Sequence, residues 1–218
     1  MQASLSYLKK LKKNNNRDWF LSNKEEFMFA RDEFEKFIQS VISHLGKFDP
    51  DIKDLDVKKS IFRIYRDVRF SKDKTPYKTN FAASLQKNGR KSGLAGYYIH
   101  IEPGSSFVGG GIWKPDPETT AKIRQEIDYN PKEFLSIINN KNFKSHFGGL
   151  YTKDLSLKRI PKGYEAGNPM EEYLKLHSWL AEAEYGDKEL TAPDFLKKVV
   201  SNLKALKPFI DFLNIPFN

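Results

Sequence analysis

The loop from Arg69 to Lys78 holds the densest group of side chains suited to binding an anion. Its basic and hydroxyl-bearing members alternate with small or rigid residues and are Arg69, Lys72, Lys74, Thr75, Tyr77 and Lys78. Arginine forks onto a phosphate or carboxylate through two parallel hydrogen bonds, and lysine supplies a compact charge. Pro76 fixes its own φ, which lowers the entropy that the loop loses on binding. We therefore expect an anionic small molecule or another phosphate-containing ligand at this loop.

The net positive charge of the chain comes from the region around this loop. Arg63 and Arg66 lie in this region and are further candidate ligand-binding residues. The chain carries a net charge of +9 and has a sequence isoelectric point of about 9.4. Residues 58–91 hold eleven basic and two acidic side chains, while bases and acids cancel elsewhere. Two alternatives need no ligand. They are a solvated basic loop, and an internal salt-bridge network formed by Arg66, Asp67, Arg69 and Asp73.

Aromatic residues interleave with these bases and suggest a different partner. A nucleic-acid-binding module would contact phosphates with the basic side chains and stack bases on the rings of Phe62, Tyr65, Phe70 and Tyr77. We rank this reading below the anionic small molecule, because the bases are confined to one compact segment and do not line a long stripe.

His100 and Glu102 are two residues apart on a predicted strand, so they face the same side of it. An imidazole exchanges protons near neutral pH, and a carboxylate can orient it. With Arg63 and Tyr65 nearby in a paired strand, these two are the candidate catalytic residues, although an ordinary polar sheet face would show the same pattern. The His-Glu-x-x-His and Gly-x-Ser-x-Gly signatures do not occur. The sequence therefore does not establish an enzyme, and it indicates no cofactor.

Three glycines, Gly109 to Gly111, precede Trp113. Glycine lets a backbone approach another group closely or adopt positive φ. Gly110 could thus present its N–H to an anion while Trp113 offers a stacking face, and both are candidate ligand-binding residues. The alternative is a bulge at the end of a strand with Trp113 in the core.

Three segments have specific sequences. The first, at 14–20, reads Asn-Asn-x-Arg-x-Trp-Phe. The second, at 69–79, reads Arg-Phe-Ser-Lys-Asp-Lys-Thr-Pro-Tyr-Lys-Thr, and the third, at 109–115, reads Gly-Gly-Gly-Ile-Trp-Lys-Pro. Together they resemble the motifs of a family of uncharacterised hypothetical proteins from bacteria and fungi. The resemblance runs over nearly the whole chain and is loose beyond Phe143. It implies a shared fold and surface, and it supplies no catalytic residues because the family is a domain of unknown function.

The spacing of apolar residues predicts helices both before and after the central part of the chain. A short helix is predicted near 4–13, and a long one near 24–45, with Ser22 as its cap and Gly46 ending it. An Asp-Pro and an Asn-Pro pair open helices near 117–128 and 131–139. A last helix begins near Pro193, and Pro208 should kink or end it.

The middle of the chain alternates with period two and therefore predicts strands. Three such strands lie near 62–65, 81–86 and 97–102, and a turn at Pro103-Gly104 leads into a fourth at 105–111. Short strands near 147–150 and 157–160 are weaker expectations, and 174–184 favours a strand over a helix. The pattern predicts a single α+β domain, 1–218, with a central mostly antiparallel sheet, one face covered by helices, and helical N- and C-terminal segments.

Composition excludes several classes of site. The chain has no cysteine, so it has no disulfide, no thiolate metal site and no cysteine nucleophile. The acidic cluster at Asp49, Asp51, Asp54 and Asp56 lacks the spacing of a calcium loop, and we expect no metal. No apolar run is long enough to cross a membrane, and no signal peptide is recognised, so we expect a cytoplasmic protein with no membrane partner.

Overall fold

A four-stranded antiparallel sheet lies at the centre of the computed structural model, which describes residues 1–217. Its strands are β1 (Phe81–Gln86), β2 (Gly96–Ile101), β3 (Ser106–Ile112) and β4 (Trp179–Tyr185), arranged in that order across the sheet. The first three form a meander, as the alternating sequence predicts. β4 joins at the far edge after a long, partly helical excursion.

Helices frame the sheet and the excursion before β4. Those before the sheet are α1 (Gln2–Lys13), α2 (Arg17–Ser22), α3 (Lys24–Leu45) and α4 (Val57–Ser60). Those of the excursion are α5 (Pro117–Tyr129), α6 (Pro131–Ile138), α7 (Lys141–Phe147) and α8 (Glu171–Leu174). The chain continues through α9 (Asp187–Leu190) and α10 (Phe195–Asn214), and single 3₁₀ turns lie at Pro50–Ile52 and Ile215–Phe217. The α+β prediction, with helical segments at both ends, is confirmed.

One face of the sheet packs on α10 and α3. α10 crosses β3 and β2, and α3 contacts β1 and α10. The predicted stripe of α10, from Phe195 through Val199 and Leu203 to Leu206, is buried against this face. The buried residues of α1, α3, α10 and the sheet belong to one hydrophobic cluster. A groove lies over the sheet on its other side, and this face forms the candidate site.

The predicted strand near 62–65 is wrong. This segment instead makes scattered backbone contacts: Phe62 N–H donates to Ala82, Arg66 N–H donates to Pro76, and Lys78 N–H donates to Ile64. Only single bridges join Ile61 to Ala83 and Tyr65 to Tyr77. Ile61 and Ile64, three residues apart, are buried at separate points of an irregular hairpin, and a continuous ladder does not form.

Other boundaries differ from prediction for local reasons. Ser22 is the last residue of α2 and does not cap α3, whose N-cap position is held by Asn23. Residues 147–150 end α7 and do not form a strand, and near 157–160 there is only a single bridge, at Ser156. Pro208 lies inside α10 without ending it, because Phe209, Phe212 and Leu213 continue the same buried face.

Across residues 1–217, none of the helices has the length and apolar character that a membrane crossing requires.

Candidate functional site

A groove of about 930 Å³ lies over the face of the sheet opposite α10. Its floor is formed by β1 to β4, and its two ends are polar. Phe62, Arg90 and Lys91 line one end, while Trp113, Lys114 and Tyr151 line the other. The groove is therefore bounded by cations and rings at both ends.

The N-terminal and central motifs hold each other in place beside this groove. The Asn15 amide donates to the backbone carbonyl of Tyr77 (2.9 Å) and accepts from its N–H (3.1 Å). Phe20 stacks on the Tyr77 ring with centroids 4.1 Å apart. Tyr77, predicted to bind ligand, is buried in this contact, with 4% of its surface exposed. Its role here is to anchor the basic segment to the helices.

The aromatic floor is built by β2 and β3. Tyr98 and His100 project from β2 on the same side, and Phe107 lies opposite His100 on β3. His100 stacks on Phe107 with ring centroids 4.8 Å apart and planes 14° apart, and Phe62 meets Tyr98 edge-on at 6.2 Å. The result is a cluster of rings in contact with one another, whose outer edges and faces can contact an aromatic ligand.

His100 and Glu102 form the pair that their spacing predicts. His100 Nε2 lies 3.2 Å from Glu102 Oε2, and Thr79 donates its hydroxyl to the other carboxylate oxygen at 2.6 Å. Burial is the main reason that the pKa of His100 lies below its usual value, and Lys78 adds to this effect while Glu102 opposes it. The imidazole is therefore neutral at physiological pH and acts as a hydrogen-bonding group.

A cluster of cations lies at the Phe62 end. The Lys78 ammonium sits 5.2 Å from the centre of the Phe62 ring, and the Arg90 guanidinium sits 4.4 Å from it. Burial, followed by repulsion from Arg63 and Arg90, lowers the pKa of Lys78. Within residues 1–217 none of these three bases forms an ion pair with a carboxylate. Arg63 is exposed and helps to lower the pKa of Asp67, whereas Lys78 and Arg90 are half-buried. A phosphate or carboxylate would complement these two half-buried cations.

The charges of the loop itself largely face one another. Arg66 pairs with Asp73, and Arg69 pairs with Asp67 at 2.7 Å. Hydrogen bonds from the Thr75 backbone N–H, then from Arg66, then from the Thr75 hydroxyl lower the pKa of Asp73 to about 2. Arg66, Arg69 and Thr75 thus make intraloop contacts, and they do not line the groove.

The rest of the loop is exposed. Lys74 donates to the Val68 carbonyl at 3.0 Å, and Lys72 is exposed with no polar partner among the described residues. Phe70 is almost fully exposed, at 97%. Of the predicted ligand-binding residues, only Arg63 and Lys78 therefore belong to the cation cluster, and Gly110 and Trp113 line the groove directly.

Gly110 and Trp113 lie on the groove for different reasons. A side chain at Gly110 would meet the Gly96 carbonyl at 2.6 Å and the Leu206 and Ile210 side chains at 3.3 Å. This glycine thus allows β3 to pack closely on β2 and α10. Trp113 is 58% exposed, with the Lys114 ammonium 5.0 Å from its ring centre. The alternative that places Trp113 in the core is wrong.

Sequence reasoning missed two groups that line the groove. Glu182 on β4 pairs in register with Gly109, and Arg90 lies in the turn between β1 and β2. Burial, followed by repulsion from Glu184, raises the pKa of Glu182. The alternation of Glu182 and Glu184 along β4 was the available signal. Nothing in the sequence except its charge indicated a role for Arg90, because its position over Phe62 depends on a contact between residues 28 apart in the chain.

The described part of the chain contains no group of three or more His, Asp or Glu side chains arranged to hold a metal ion. Asp49, from the acidic cluster, is buried and accepts a hydrogen bond from the Tyr97 hydroxyl at 2.8 Å. That carboxylate anchors the sheet to the turn after α3.

These features define an α+β protein whose antiparallel sheet is backed by helices on one face and carries an aromatic groove with cationic ends on the other. The chain belongs to the family described as conserved hypothetical protein (DUF2461), whose model matches residues 3–212. No curated protein and no solved structure matches the chain.

Proposed function

We propose that the groove binds a small phosphorylated or otherwise anionic ligand, with its anionic group against Arg63, Lys78 and Arg90. The observation that carries this proposal is that Lys78 and Arg90 both lie over the Phe62 ring, with Arg63 close enough that it adds to burial in lowering the pKa of Lys78. Among residues 1–217, neither Lys78 nor Arg90 forms an ion pair with a carboxylate. Like charges held together without a counterion are costly. An anion that binds between them removes this repulsion and gains charge-assisted hydrogen bonds.

The floor beside the cluster supports a ligand that also carries a planar ring. Tyr98, His100 and Phe107 form a cluster of contacting rings within the same groove. The groove volume of about 930 Å³ lies at the upper end of the range of small-molecule sites, which is roughly 300–1,000 Å³. A phosphate on an aromatic or heterocyclic compound matches both parts of the surface.

Calorimetric titration with phenyl phosphate tests this assignment, with phenol and inorganic phosphate as single-feature probes. We expect phenyl phosphate to bind more tightly than either probe, because it occupies both the cluster and the floor. Lys78→Gln and Arg90→Gln should each weaken binding about tenfold, since a hydrogen bond to a charged group contributes about 1.5–3 kcal/mol.

Lys72→Gln is the matched control, because it removes the same charge from the same loop at an exposed position. Its affinity should stay within about twofold of the wild type, as expected for a screened surface charge. If Lys72→Gln weakens binding as much as Lys78→Gln, the cluster is not the anion site and only the overall charge matters.

Single-stranded nucleic acid is a second candidate, favoured by the exposure of Trp113 at the opposite end of the groove from Arg90 and Lys91. An exposed ring and cations at both ends suit successive nucleotides along a strand. This candidate predicts that affinity rises with oligonucleotide length and falls steeply with salt, because counterions are released. Equal affinity for a mononucleotide and a ten-nucleotide strand would exclude it.

A further inference from the structure

The side chains of Glu102, His100 and Tyr98 form a continuous hydrogen-bonded chain that ends on the floor of the groove. Glu102 Oε2 lies 3.2 Å from His100 Nε2, and His100 Nδ1 lies 3.3 Å from the Tyr98 hydroxyl. The carboxylate end is fixed by Thr79, whose hydroxyl donates to it at 2.6 Å. The His100 ring stacks on the Phe107 ring, and this contact fixes its orientation.

The contacts of the imidazole decide which nitrogen carries the proton. Nε2 faces a carboxylate, which can only accept, so Nε2 donates. Nδ1 faces the Tyr98 hydroxyl and, at 3.5 Å, the Asn80 amide nitrogen. Both can donate, so Nδ1 is the acceptor, and the Tyr98 hydroxyl proton points toward His100. The lone pairs of the Tyr98 oxygen then remain available to the groove.

The far side of the floor carries a second proton-exchanging group. Tyr98 pairs in register with Gly109, and Gly109 pairs with Glu182. Neighbouring strands lie about 4.8 Å apart, so the Tyr98 and Glu182 backbones are roughly 10 Å apart with a residue that lacks a side chain between them. A side chain at Gly109 would clash with the Ala181 carbonyl and meet the Glu182 Cβ at 3.0 Å, so β4 packs closely beside this glycine. Tyr98 and Glu182 both line the groove.

We propose that Glu102, His100 and Tyr98 form a proton relay that ends at the Tyr98 hydroxyl in the groove and removes a proton from a hydroxyl or water bound against it. The proposal rests on the groove being a ligand site, and it adds acid–base chemistry to binding. It also narrows the ligand class to phosphorylated compounds that carry a free hydroxyl, or to reactions in which water is activated.

The proton transfer balances without a further reactant. The bound hydroxyl gives its proton to the Tyr98 oxygen as the Tyr98 proton moves to His100 Nδ1. One O–H bond breaks in the ligand, the Tyr98 O–H bond is restored, and one N–H bond forms. The electron pair stays on the ligand oxygen, and the new imidazolium charge lies against the Glu102 carboxylate. Tyr98 touches the ligand in this scheme, whereas His100 and Glu102 act through it.

Charges on every side of the imidazole bear on this step. Glu102 favours the imidazolium, and Lys78 disfavours it. Tyr98 holds its own proton firmly, because burial and then Glu102 raise its pKa to about 12. The phenol therefore passes a proton between the ligand and His100 and does not ionise by itself. An anion bound at Lys78 would offset the positive charge there and make His100 a stronger base.

Nitrogen-15 NMR of histidine-labelled protein tests the relay, with the His100 signals among the four histidines assigned by His100→Gln. We expect Nε2 to be protonated and Nδ1 to be unprotonated at neutral pH, with titration below that of a free histidine. Tyr98→Phe keeps the ring and removes the hydroxyl, so it should move the Nδ1 signal. Tyr151→Phe, at the other end of the groove, is the matched control and should leave that signal in place.

Glu102→Gln should shift the His100 titration to lower pH, because the carboxylate that favours the imidazolium is lost. A proton found on Nδ1, or an Nδ1 signal and titration that Tyr98→Phe leaves unchanged, would overturn the relay. Phenyl phosphate titration of Tyr98→Phe separates this result from the binding proposal. If phenyl phosphate binds but the NMR signals show no relay, the relay is wrong and the ligand site is supported. If the NMR signals show the relay but phenyl phosphate does not bind, the ligand site is wrong.

Discussion

Replacing Gly110 with alanine should destabilise the protein, because this position joins the floor of the groove to the helix behind it. An added Cβ would lie 2.6 Å from the Gly96 carbonyl oxygen, well inside van der Waals contact. It would also press on the Leu206 and Ile210 methyl groups at 3.3 Å. The oxygen belongs to the backbone of β2, so relief requires β3 to move and cannot come from a side-chain rotation.

The magnitude follows from two opposing effects. Overpacking a well-filled core costs about 1–3 kcal/mol. Alanine restricts the unfolded chain and returns about 0.4–1 kcal/mol where the native conformation tolerates it. We therefore expect the free energy of unfolding of Gly110→Ala to fall by about 1–2 kcal/mol. For a chain of this length, each 1 kcal/mol lowers Tm by about 2–4 °C.

Urea unfolding followed by circular dichroism measures this change as a lower midpoint at an unchanged m value. Gly149→Ala is the matched control, because nothing lies within 4 Å of its added Cβ and its φ is not positive. That variant should be as stable as the wild type or slightly more stable. A Gly110→Ala protein as stable as Gly149→Ala would refute the close approach of β3 to β2 and α10.

Three further predictions concern polar groups of the sheet. Because burial lowers the pKa of His100, its contribution to stability is complete above the unfolded value of about 6.5. It is lost as the pH falls toward the folded pKa, and thermal melts of wild type and His100→Gln between pH 7.5 and 5 should show this loss only in the wild type. The raised pKa of Glu182 has the opposite sign, since its favourable contribution is present below the unfolded value and is lost as the pH rises. Glu182→Gln should therefore stabilise the protein at pH 7 relative to pH 4, by less than about 1 kcal/mol, and an equal effect at both pH values in urea titrations would contradict this. The amide of Asn214 accepts from the Ala95 N–H at 2.9 Å and donates to its carbonyl at 3.2 Å in a buried setting. Asn214→Ala should cost about 2–3 kcal/mol by leaving both groups unpaired, and a loss below 0.5 kcal/mol would show that water replaces the amide.

The regular helices and strands could be predicted because their apolar residues recur at regular helical or strand spacing. The long apolar face of α3 and the alternation in β1 and β2 specify which side of each element is buried, and burial of that side is what stabilises the element. The spacing of His100 and Glu102 predicted a contact for the same reason, and the structure contains it. Local capping was predicted less well. Ser22 has the side chain of a cap, but the chain continues through it as the end of α2.

The irregular segment from 61 to 80 could not be predicted in the same way. Its path depends on contacts with residues distant in the chain, such as Asn15 holding the Tyr77 backbone and Ala82 accepting from Phe62. The alternation of apolar and polar residues over 62–65 favoured a strand. The buried residues are Ile61 and Ile64, whose spacing of three does not place them on one face of a strand.

By itself, the sequence determined an α+β chain and a local excess of nine positive charges, and it pointed to a polar pair on β2. The number of basic and acidic residues around the loop could be read from the sequence, because it depends on composition alone. Only the tertiary structure decided which of those charges face each other and which remain without a partner. Arg66 and Arg69 lie beside acids two to seven residues away and pair with them. Arg63 and Lys78 meet Arg90 because the hairpin folds back over β1, and such a meeting of residues distant in sequence has no local signal.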